Sequence, residues 1–162
     1  MPAPLPVPST PPPSGVELWE EGAGPDPWDK FLDSTGAGLH GLCLTREFPD
    51  RLRAYLGARN VDILWLSTSG RDRSVRPSDL DAVERAIRRG LSDGTVSIVY
   101  LSGVEYLLSI HPTDSVLGLL ERVDKVARER LVRVVIPLNP SLLPSERLVA
   151  LRAALQRPAP AS

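Results

Sequence analysis

Four short segments hold the residues whose types could do chemistry: Thr45-Arg46-Glu47, Ser67-Thr68-Ser69-Gly70, Ser102-Gly103-Val104-Glu105 and Leu138-Asn139-Pro140. Each ends or follows an apolar run, the place where a parallel strand hands over to a loop and where ligands bind in sheets of that kind. Arg46 has a planar fork that can grip a carboxylate or phosphate through two bonds, unless it pairs with Glu47 or Glu105 as a structural link. Glu47 and Glu105 are candidate specificity groups, and Glu105 reads equally as a helix-start carboxylate favoured by the helix dipole. Ser67 or Ser69 could be combined with His111 and Glu105 into a Ser-His-acid set. No G-x-S-x-G elbow supports that, so these hydroxyls read more simply as turn formers. Thr45, Arg46, Glu47, Ser67, Ser69, Ser102, Glu105 and Asn139 therefore form the candidate crevice set.

What is missing narrows the chemistry further. A phosphate-binding loop after the first regular strand would read G-x-x-x-x-G-K-[ST], with amides and a lysine holding the phosphates. The chain has Thr45-Arg46-Glu47-Phe48-Pro49 there, and Gly36, Gly38 and Gly41 lie before that strand's end. Its lysines, Lys30 and Lys125, are in an acidic segment and within a helical stretch. Glu47 would also put negative charge where phosphate oxygens would sit. The third strand ends on Ser102, where a hydrolase of this architecture carries a Mg²⁺-binding aspartate. His40, His111 and Cys43 are too few and too scattered for a metal site. No catalytic residue, cofactor or metal is assigned.

The elements that would position these loops follow from periodicity. Apolar runs at 39–44, 61–66, 96–101 and 131–138 read as strands buried on both faces. Helices are expected over 50–56, from Ser78 with Leu80, Val83, Ile87 and Leu91 on one face, over 113–130, and from Ser145 to Leu155. Alternation of strand and helix is the mark of an α/β fold, here a mainly parallel sheet of about four strands with helices on both faces.

Residues 1–15, with Pro2, Pro4, Pro6, Pro8 and Pro11 to Pro13, read as a disordered proline-rich tail, and 158–162 as a disordered C-terminus. Residues 16–38 read as an acidic, aromatic linker before an α/β domain over 39–157. Trp19 and Trp28 within it either pack back on the domain or anchor a partner. The chain of 162 residues has room for one core, and its net charge of −1 gives no footprint for nucleic acid. A single cysteine and no long apolar span point to a cytoplasmic protein without membrane attachment.

Five segments, Leu42-Cys43-Leu44-Thr45-Arg46-Glu47-Phe48-Pro49, Ile63-Leu64-Trp65-Leu66-Ser67, Ser78-Asp79-Leu80, Val99 to Leu107 and Val135-Ile136-Pro137-Leu138-Asn139-Pro140, resemble the domain-of-unknown-function family 835 across roughly 39–156. The resemblance implies a sheet like that of the circadian-clock and recombinase ATPase cores with the phosphate loop missing, in a family whose domains stand beside sensor and histidine-kinase modules. Members commonly carry an acidic residue at the place of Ser102, so this chain departs from even that remnant. The expectation is a non-catalytic signalling or protein-interaction module with a protein partner, with homodimerisation as a further option. The alternative is a small-molecule or anion-binding domain using the strand-end crevice.

Overall fold

Strands and helices follow one another as β1 (Gly15–Glu20), α1 (Pro27–Gly36), β2 (His40–Thr45), α2 (Pro49–Leu56), β3 (Val61–Leu66), β4 (Ser74–Val75), α3 (Leu80–Ser92), β5 (Val96–Leu101), α4 (Val104–Ile110), α5 (Thr113–Arg130), β6 (Arg133–Leu138) and α6 (Ser145–Leu155). These come from a computed structural model that describes residues 14–22, 26–36, 39–57, 59–71 and 73–155. Most of the expected proline-rich tail and the expected disordered C-terminus at 158–162 lie outside the described residues.

Among the described residues six strands form one sheet, all parallel, in the order β1-β6-β5-β2-β3-β4. The expectation of about four strands is thus corrected to six. The additional pair are the edges. β4 has two residues, too few to show a period. β1 falls inside what composition marked as a linker, because its acidic residues mask a period of two. Val16 and Leu18 turn to one face and are buried, while Glu17 on the other face takes two 3.0 Å hydrogen bonds from Arg133 of β6. A carboxylate matched to a guanidinium 116 residues away looks in the sequence like solvated charge. The rest of the supposed linker holds α1, opened by Asp26, whose carboxylate accepts from the Trp28 amide at 2.8 Å, and it buries Phe31 completely.

Two boundaries also move. Asp79, not Ser78, caps α3, accepting from the Ala82 amide at 3.0 Å. β6 starts at Arg133 because Leu131 takes a left-handed conformation (φ 58°) that ends α5.

Both sheet faces are covered, which is why the central strands are apolar throughout. On one face α3, α4, α5 and α6 bury Val83, Leu107, Leu120 and Leu151 against Leu42, Leu44, Val99, Leu101, Val134 and Ile136. On the other, α1 and α2 bring Phe31, Leu52 and Leu56 onto Cys43, Ile63, Tyr100 and Val135. From β2 the chain steps to β3 on one side, and from β5 it steps to β6 on the other. The order therefore reverses between β2 and β5, and a crevice opens at their carboxyl ends.

Candidate functional site

Side chains on successive strand residues point to opposite faces, so the loops after β2 and β5 divide their groups between the two faces. On the α1/α2 face they line a cleft of about 750 Å³. Its floor is Cys43 and Tyr100, register partners on adjacent strands. Trp28, Asp29 and Leu32 of α1 and Arg51, Leu52 and Tyr55 of α2 form its walls, with Thr45, Glu47, Ser102, Glu105, Pro137 and Asn139 at the strand ends and Glu21 and Asp26 at the β1 side.

Of the eight crevice residues expected from sequence, Thr45, Glu47, Ser102, Glu105 and Asn139 come together in this cleft. Arg46, Ser67 and Ser69 do not line it, which corrects their grouping with the rest. Arg46 leaves on the opposite face, its guanidinium 3.6 Å above the Tyr106 ring, while its carbonyl accepts from Trp65 Nε1 at 3.2 Å. Ser67 Oγ accepts from the Ser69 amide at 3.1 Å and Ser69 Oγ from the Arg71 amide at 3.3 Å, turn contacts in the loop toward β4. His111 Nε2 meets the Pro77 carbonyl at 2.7 Å.

Within the cleft several groups already have work to do. Thr45 Oγ1 accepts from the Glu47 amide at 3.0 Å, and Glu105 Oε1 accepts from the Asn139 amide at 2.9 Å, tying the start of α4 to the end of β6. Gly103 makes the turn before α4 with φ 97°, a conformation that suits glycine. Asn139 Oδ1 in turn accepts from the Ser141 amide at 3.0 Å.

Trp28 stands edge-on to Tyr100 with ring centroids 5.2 Å apart, in contact with Phe31 at 5.6 Å. Trp19 lies away from the cleft. Its Nε1 donates to Glu17 Oε2 at 2.9 Å, and the Lys30 and Arg133 cations sit 4.7 and 5.0 Å from its ring.

Tyr100, Asp29, Glu21, Arg51 and Tyr55 were not legible as site residues. Tyr100 sits inside an apolar strand and reads as core; the acidic pair belonged to the apparent linker. Tyr100 is only 7 % exposed, and its hydroxyl has no hydrogen-bond partner among the described residues. Burial, then Cys43, Asp26, Glu21 and Glu105, hold its phenol well above the ordinary range, so it stays protonated. Burial and then Glu47 push the Cys43 thiol up to about 12. No three His, Cys, Asp or Glu side chains among the described residues are placed to hold a metal ion.

The sequence profile of the family described as "Protein of unknown function (DUF835)" matches residues 25–155, from α1 through α6. The chain belongs to the DUF835 family. Among solved structures, the flagellar accessory protein FlaH from Methanocaldococcus jannaschii superimposes with a TM-score of 0.48 at 8 % identity, covering 87 % of this chain and 68 % of that one. No curated protein matches. In this DUF835 chain the cleft lies wholly within the matched segment apart from Glu21, and no helix among the described residues is long and apolar enough to cross a membrane.

Proposed function

We propose that this domain is a non-hydrolytic binding module of signalling type, P-loop-ATPase-like in its core but without the phosphate loop, which receives a ligand or protein partner in the switch-point cleft. The observation that carries this reading is the turn after β2. Its Glu47 amide is already taken by Thr45 Oγ1, Pro49 at the first position of α2 offers no amide, and Arg46 is stacked on Tyr106 outside the cleft. A phosphate cradle needs free amides and a cation at that point. The charge balance of the cleft, with Arg51 as one guanidinium among five carboxylates, weighs against the anion-binding alternative. A reducing, cytoplasmic setting suits the buried free thiol of Cys43.

The test is turnover. The full chain should hydrolyse neither ATP nor GTP with Mg²⁺ above a buffer blank, and neither nucleotide should raise its melting temperature. A partner enriched from native lysate by the wild-type chain should be lost with a charge-reversed cleft such as Asp29→Lys. Hydrolysis that disappears in Glu105→Gln would sink the proposal.

A further inference from the structure

We infer that the cleft takes an organic cation, an ammonium or guanidinium group, whether on a free small molecule or on a Lys or Arg side chain of a partner. This rests on the proposed use of the cleft as a binding place and adds the chemistry of what enters it.

Two independent observations meet there. The first is charge: Glu21, Asp26, Asp29, Glu47 and Glu105 line the cleft against the one guanidinium of Arg51. Their carboxylates attract a cation over the whole opening, more strongly where α1 and α2 exclude water. The second is the Tyr100 hydroxyl, on a side chain more than nine-tenths buried, facing the cleft and lacking any hydrogen-bond partner among the described residues. Among the described residues no fully buried side-chain polar atom lacks a partner, so this hydroxyl reaches the open space of the cleft, where a group entering it can take it up. A phenol oxygen can accept from an N–H of a guanidinium or primary ammonium. Trp28, edge-on beside it, and Tyr55 at the mouth add aromatic faces of the kind that hold organic cations. An inorganic cation is a poorer fit, since no three ligating side chains among the described residues converge.

The experiment is an NMR titration of the full, ¹⁵N-labelled chain that follows the Trp28 indole resonance. The probes are agmatine, choline and the capped peptide Ac-Ala-Arg-Ala-NH₂, with sodium acetate, inorganic phosphate and glycerol as controls. The cations should shift the resonance saturably, and less so as NaCl rises. Tyr100→Phe keeps the ring and should weaken agmatine and the peptide roughly tenfold, as loss of one hydrogen bond to a charged group predicts, while choline, which has no N–H, should change far less. The double change Asp29→Asn and Glu47→Gln, both exposed positions, should weaken all three cations. Tighter binding of agmatine than of the peptide identifies a free small molecule; the reverse identifies a partner's side chain. Saturable binding of acetate, phosphate or glycerol without the cations overturns the inference and leaves the binding cleft standing. Silence with every probe overturns both, and cation binding that ignores the variants overturns the assignment to these residues.

Discussion

A thiol at the base of an acidic cleft is held in its neutral form twice over, by removal from water and by a nearby carboxylate. Cys43 is fully buried, with its folded value at about 12 against an ordinary 9.0. Because the fold prefers the protonated thiol, its contribution is complete below about pH 9 and is lost as the pH climbs from there toward 12, on the order of 1.4 kcal/mol per unit. Tyr100 adds loss of the same sign at its own higher range. Urea unfolding should therefore show the chain losing stability between pH 9 and 10.5, with Cys43→Ala losing less of it. At pH 8 iodoacetamide should leave Cys43 unmodified in the folded chain and label it on unfolding. A slope no different in Cys43→Ala would show that the thiol is not shifted. Residue by residue, the sequence exposed Thr45, Glu47, Ser102, Glu105 and Asn139 through strand-end placement alone. It hid Tyr100 because an aromatic in an apolar run reads as packing, and only the third dimension shows its hydroxyl at an opening.

Among the elements, β2, β3, β5 and β6 follow from their apolar runs and α3 and α5 from an apolar face, α2 and α6 rest on their end signals, and α4, only seven residues long, was not among the expected helices. Arg46 was grouped with Glu47 by adjacency, although neighbours on an extended chain face opposite ways. The junction of β5 and α4 brings Ser102 and Glu105 to the cleft. Gly103 turns the chain there with φ 97°, and a β-carbon would meet Leu66 Cδ1 at 3.1 Å and Arg46 Cγ at 3.2 Å. Gly103→Ala should cost about 1–2 kcal/mol by backbone strain alone. It should also tilt the start of α4, so that the Asn139 amide, held by Glu105, shifts in the NMR spectrum. Full stability in this variant would mean that the turn relaxes without strain.

For the whole molecule, the boundary of the fold is the lesson. Composition placed residues 16–38 outside it, yet β1 caps the sheet and α1 covers the second face. Val16 and Leu18 are buried against α5 and its neighbours, and the Val16 amide donates to Asp124 at 2.8 Å. Removing residues 1–22 should therefore remove about 3–6 kcal/mol, from roughly 1.5–3 kcal/mol for each of these two side chains. That is a large part of the stability of an ordinary domain. Circular dichroism of the truncated chain should show a melting transition lowered by well over 5 °C or lost. An unchanged transition would return the segment to the status of a linker.

The pairing of β1 with β6 also sets an order of events during synthesis. Of the described strands, the first to leave the ribosome is the one whose partner is made last, since Glu17 must wait for Arg133, 116 residues downstream, before its charge is matched. Until then β1 carries an open row of amides and two uncovered apolar side chains, a template on which another nascent chain could pair. Its two glutamates, Glu17 and Glu20, are the like charges that would meet if it did, so the ion pairs that lock the finished edge also guard the unfinished one.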